Sequence, residues 1–131
     1  MTVPYETSAG APLRVGAVVR DVLIVFALTA IGGFFIGLFA GITGRAHDPN
    51  MMILTIAGSN VLLGIVGFTI SGSLARGNRW PHLAVVALGV WVLSLVNVAF
   101  MGTAIVQWLA ASIVLAFMMG VGGALSYLFK R

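Results

Sequence analysis

Residues 22–42 read VLIVFALTAIGGFFIGLFAGI, an uncharged apolar run long enough to cross the hydrocarbon core of a bilayer. Inside it, Thr29, Gly33, Gly37 and Gly41 recur every four residues. On a helix that spacing stacks them into one stripe of very small side chains. Such a stripe lets a second helix backbone approach closely, which is how helices associate in lipid, where burying apolar surface supplies little drive.

The rest of the chain repeats the pattern. Further apolar runs occupy about 51–75, 83–101 and 104–129, separated by the polar segments TGRAHDPN and RGNRWPH and by a short link around Gly102. Of the 131 residues, 60% are hydrophobic and 8% charged. A water-soluble domain carries roughly a quarter charged residues. These features predict an all-α integral membrane protein, a bundle of four transmembrane helices. Residues 1–19 (Pro4, Gly10, Pro12 and Gly16 among scattered polar groups) read as a flexible tail, with 20–131 as the four-span domain. The first run far exceeds the 7–15 residues of a signal-peptide core, so it is expected to be retained as a span. Pro49 and Asn50 restart the chain as a helix, and Pro81 suits a first helical turn.

Charge sets the expected orientation. Arg14 and Arg20 precede the first span, Arg76 and Arg79 separate the second from the third, and Lys130 and Arg131 follow the fourth. All six fall on one side of a four-span chain, against Arg45 beside Asp48 on the other. Because Lys and Arg favour the cytoplasmic side, both termini are expected there, in a bacterial-type inner membrane (N-in/C-in). The net charge of +4 therefore reads as a topology signal. With the cations split into pairs at span ends, no contiguous basic face addresses a nucleic acid.

Small-residue stripes extend beyond the first span. Ser112, Ala116, Gly120 and Ala124 repeat the four-residue spacing in span four. In span two, Ala57, Asn60, Gly64, Gly67 and Ser71 alternate steps of three and four, the spacing of a left-handed packing seam. The Thr29–Gly41 and Ser112–Ala124 stripes are the expected helix-packing interface, within the chain or toward a second copy or a partner.

Candidate chemistry is sparse. The chain has no cysteine, which excludes disulfides and thiolate sites. Its acidic residues are Glu6, Asp21 and Asp48. Asp21 reads as an interfacial charge screened by Arg20, and His82, beside Trp80 and Pro81, as an interfacial residue. His47 and His82 lie in loops at opposite ends, so they cannot share a ligand. No catalytic, cofactor or metal set is expected.

The remaining polar groups are uncharged. Asn60 lies roughly 14 Å from the outer end of span two and Asn97 roughly 7 Å from that of span three, at 1.5 Å per residue. Gln107, Ser112 and Thr55 fall at comparable depths, so an outer-half polar clamp or solute site is expected around Asn60, Asn97, Gln107 and Ser112. Together these features predict a non-catalytic structural, accessory or assembly subunit, packed against itself or a larger membrane complex. The alternative is a homo-oligomeric channel or facilitator that uses the embedded asparagines.

Overall fold

The computed structural model describes residues 13–44, 48–75 and 77–129. They fold into five helices: α1 (Val15–Ile42), α2 (Pro49–Leu74), α3 (Arg79–Leu93), α4 (Leu95–Met101) and α5 (Ile105–Leu125). Because α3 and α4 run on as one rod, four helical rods are long and apolar enough to span a membrane, and no strand occurs among the described residues.

Local chemistry places the helix ends. The Asp48 carboxylate accepts from the backbone N–H of Asn50 (3.1 Å) and Met51 (3.3 Å), capping α2 where Pro49 supplies a preset φ. Gly102 ends α4 in the left-handed region at φ 68°, a conformation costly for a residue with a Cβ. Between α3 and α4, the Ser94 hydroxyl donates back to the Trp91 carbonyl at 2.6 Å, the side-chain bond that bends helices.

Three boundaries differ from the sequence expectation. α1 begins at Val15 rather than 22, because between Val15 and Asp21 only Gly16, in the first turn, disfavours a helix and no proline interrupts it. The first span therefore takes in the end of the segment read as a tail. α3 begins at Arg79 rather than 83, with Pro81 inside its first turn, where a missing N–H costs nothing. α5 stops at Leu125, and residues 126–129 form turns.

The rods alternate in direction and pack in a ring in which α1 and α5 each touch α2 and α3 and do not touch each other. One end of the bundle gathers the start of α1, the end of α2, the start of α3 and the end of α5. It carries Arg14, Arg20 and Arg79 and is called the basic end below. The core is formed by Val25, Phe68, Leu83, Val86, Val90, Leu115 and Met118, all at or between this end and the bundle middle. Toward the opposite end, Phe34, Phe35, Phe39, Ile42, Leu54, Phe100, Val106 and Ile113 are exposed. An apolar surface of that extent is compatible with hydrocarbon as solvent rather than water.

Glycine decides where rods approach closely, but not at every predicted position. Part of the α2 seam packs, and against two rods: a Cβ on Gly64 would meet Met118 of α5 and one on Gly67 would sit 3.1 Å from the Val25 backbone of α1, whereas Ala57 is exposed. On α5 the close approach falls at Gly122, where a Cβ would lie 2.6 Å from Phe68 Cβ and 2.7 Å from the Ile65 carbonyl. The two stripes expected to form the packing interface are largely uncovered within the chain. A Cβ on Gly37, Gly41 or Gly120 would meet nothing within 4 Å, and one on Gly33 would meet only Asn60 Oδ1, at 3.7 Å. Ala116 and Ala124 are exposed, and Thr29 bonds back to Val25 and Phe26 of its own helix. The α1–α2 contact instead passes one residue to the side, at Gly32, where Leu63 and Ser59 press in.

Candidate functional site

The basic end holds a polar cluster built from three rods. Asp21, in the second turn of α1, is fully buried. Its Oδ2 accepts from Ser71 Oγ of α2 at 2.9 Å and lies 2.8 Å from His82 Nε2 of α3; its Oδ1 accepts from the neighbouring Arg20 Nε at 2.7 Å. An ionised carboxylate can only accept, so the bond to His82 places the proton on Nε2. Each partner stands where its helix must put it. Ser71 continues the α2 seam beyond Gly64 and Gly67, and His82 lies in the first turn of α3, one residue before the buried Leu83.

This geometry revises two sequence expectations. Asp21 is not an interfacial charge screened by Arg20 alone: its other oxygen is consumed inside the bundle by Ser71 and His82. His82 is likewise enclosed by the bundle rather than open at its surface. The comparison of His82 with His47 lies outside the described residues. The pairings join positions 50 and 61 apart in the chain, so no local spacing announces them. The one signal in the sequence was an acid in the second turn of a rod whose only other charge is the adjacent Arg20, and a carboxylate so placed has to find partners when it packs.

The cluster ties three rods together. Ser71 donates to the carboxylate rather than to the imidazole, so the three side chains do not line up as a serine–histidine–aspartate relay. Asp21 and His82 offer a cation two ligands, and among the described residues no three His, Cys, Asp or Glu side chains come together.

Beside it, Arg79 is 5% exposed. Its Nη1 donates to Ser126 Oγ at 2.9 Å, and its guanidinium lies 4.0 Å from the centre of the Tyr127 ring. Ser126 in turn donates to the Gly123 carbonyl at 2.6 Å.

The predicted outer-half polar set does not assemble within one chain. Asn97 and Gln107 are exposed, and the Ser112 hydroxyl bonds back to the Leu109 carbonyl at 2.6 Å. Asn60 points its Oδ1 toward α1 at Gly33, where the oxygen is buried without a hydrogen-bond partner among the described residues. Thr55 bonds back to Met51 of its own helix. The contact that does join α3 and α5 in that half was not anticipated. Trp91 and Trp108 stack at 4.0 Å with 12° between planes, and each indole N–H donates to the other residue's carbonyl, at 3.2 and 3.1 Å.

Comparison with protein-family models, with curated proteins and with solved structures gives no significant match. The functional reading therefore rests on this geometry and on the sequence.

Proposed function

We propose that this chain is a small multi-pass protein of a bacterial-type inner membrane, both termini cytoplasmic, acting as a non-catalytic structural, accessory or assembly subunit. It associates through the outer half of α1 with a second copy or a larger membrane complex. The observation that carries the reading is the empty space over Gly37 and Gly41. A glycine in mid-helix costs about 1 kcal/mol relative to alanine, and at Gly67 and Gly122 that cost is offset by close packing inside the chain. At Gly37 nothing within the chain offsets it, and an approaching helix from outside would; Gly41, next to the last residue of α1, extends the same open strip. The orientation follows from the one-sided distribution of Arg14, Arg20, Arg76, Arg79, Lys130 and Arg131.

The test is the mass and composition of the assembly extracted from its membrane in a mild detergent, for the wild type and Gly37→Leu. A wild-type homo-oligomer or a fixed-stoichiometry complex that Gly37→Leu reduces to a monomer supports the reading. A wild-type monomer without companions overturns it, as does an assembly indifferent to Gly37→Leu.

The unpartnered Asn60 oxygen favours a second reading, a homo-oligomeric channel or facilitator in which a neighbouring copy completes the polar site that one chain leaves open. Liposome flux that is lost in Asn60→Leu with the helical content intact would move the assignment there.

A further inference from the structure

A cation taken out of water needs an anion or a dense set of acceptors. Arg79 has one hydroxyl acceptor and one ring face among the described residues. No described carboxylate forms an ion pair with it: Asp21, the buried acid at the same end, is shared among Arg20, Ser71 and His82. The chain has no Asp or Glu side chain after Asp48, so α2, α3 and α5 have none to offer. Arg76 precedes Arg79 in the chain, and Lys130 and Arg131 follow Tyr127, which adds further positive charge to the same two chain segments.

The surroundings suit a headgroup. Arg79 lies at a helix-rod end, against the Tyr127 ring and next in the chain to Trp80, both of them exposed. Amphipathic rings of this kind sit where acyl chains give way to the polar layer. On the membrane reading given above, we propose that the basic end of α3 and α5, centred on Arg79, holds the phosphodiester of an anionic phospholipid from the surrounding leaflet. The guanidinium fork matches phosphate oxygens in pairs, and basic recesses between spans on the cytoplasmic side favour anionic headgroups. A zwitterionic lipid would bring a second cation beside Arg79, which no described carboxylate balances, so net negative charge is the selected property.

The experiment uses the full chain in a mild detergent, offered phosphatidylglycerol or phosphatidylcholine, with retained lipid counted by native mass spectrometry. Wild type is expected to retain phosphatidylglycerol over phosphatidylcholine by about tenfold, the order that one charge-assisted contact supplies. Arg79→Gln should abolish the preference, and Arg14→Gln, at an exposed position just before α1, should leave it intact. If Arg79→Gln does not fold, Arg79→Lys decides: without the fork the preference should fall several-fold. No preference in the wild type overturns the inference, as does a preference that survives at Arg79 or disappears equally with Arg14→Gln. Inorganic phosphate that displaces the lipid at millimolar concentration would also overturn it, by assigning the site to a free anion. Alkaline carbonate extraction separates the two readings. A chain released from the membrane defeats both, whereas a retained chain without lipid preference defeats only this one.

Discussion

Replacing Asp21 by leucine isolates the tie at the basic end. The substitution keeps the branched outline of the side chain, at a larger volume, but removes the acceptor shared by Ser71 and His82, both buried. Leaving a buried donor without an acceptor costs about 1–3 kcal/mol, so two of them give about 2–6 kcal/mol. Arg20 is half exposed and regains water, so it contributes nothing to that figure. Within a bilayer the unfolded reference also finds polar partners, and measured interhelical contacts average about 0.6 kcal/mol, which sets a floor near 1 kcal/mol for the pair. Unfolding in mixed micelles with rising mole fraction of denaturing detergent, followed by circular dichroism, reads the difference directly. The informative comparison is the triple variant Asp21→Leu/Ser71→Ala/His82→Leu, which removes donors and acceptor together. Replacing a whole buried polar set by apolar groups is often neutral, so the triple variant should recover most of what the single variant loses. Asp21→Leu within about 0.5 kcal/mol of wild type, or a triple variant no more stable than the single one, would refute the interdependence argued here.

Two further substitutions probe the packing. Gly122→Ala places a methyl group against Phe68 Cβ and the Ile65 carbonyl and should destabilise by about 1–3 kcal/mol, whereas Gly37→Ala meets open space and should be neutral or slightly stabilising in the isolated chain. The same detergent titration ranks the pair, and equal effects would mean that α5 does not rest on α2 as described. Trp108→Leu removes a stacked ring worth about 0.5–1.5 kcal/mol and its hydrogen bonds to Trp91 and Ser94. It should loosen α3 from α5 and shift the Trp91 emission, and an unchanged spectrum would argue against the stack.

The sequence alone determined the four apolar rods and most of their ends, since both depend on local chemistry. A spanning helix is specified by contiguous length, Asp48 and Pro49 by their position before a run, and Gly102 by its tolerance of positive φ. The sequence also marked the α2 seam, where three- and four-residue steps combine with small side chains. It did not determine which face of α1 or α5 turns inward. In a water-soluble helix that face is marked by apolar periodicity, but a rod apolar on every side carries no such contrast. Small-residue spacing is then the only cue, and it marks any surface capable of close approach, inside the chain or outside it. Thus Gly32 and Gly122 make the close contacts while Gly37, Gly41 and Gly120 face open space. The fate of the polar residues was likewise a tertiary decision. Asp21, Ser71 and His82 meet because α1, α2 and α3 converge at one end, and Asn60, Asn97 and Gln107 stay apart because the ring of rods turns them in different directions. Partners so far apart in the chain are fixed by how whole rods rotate against one another, and that rotation is settled by the packing of Val25, Phe68 and Leu83 rather than by any local run.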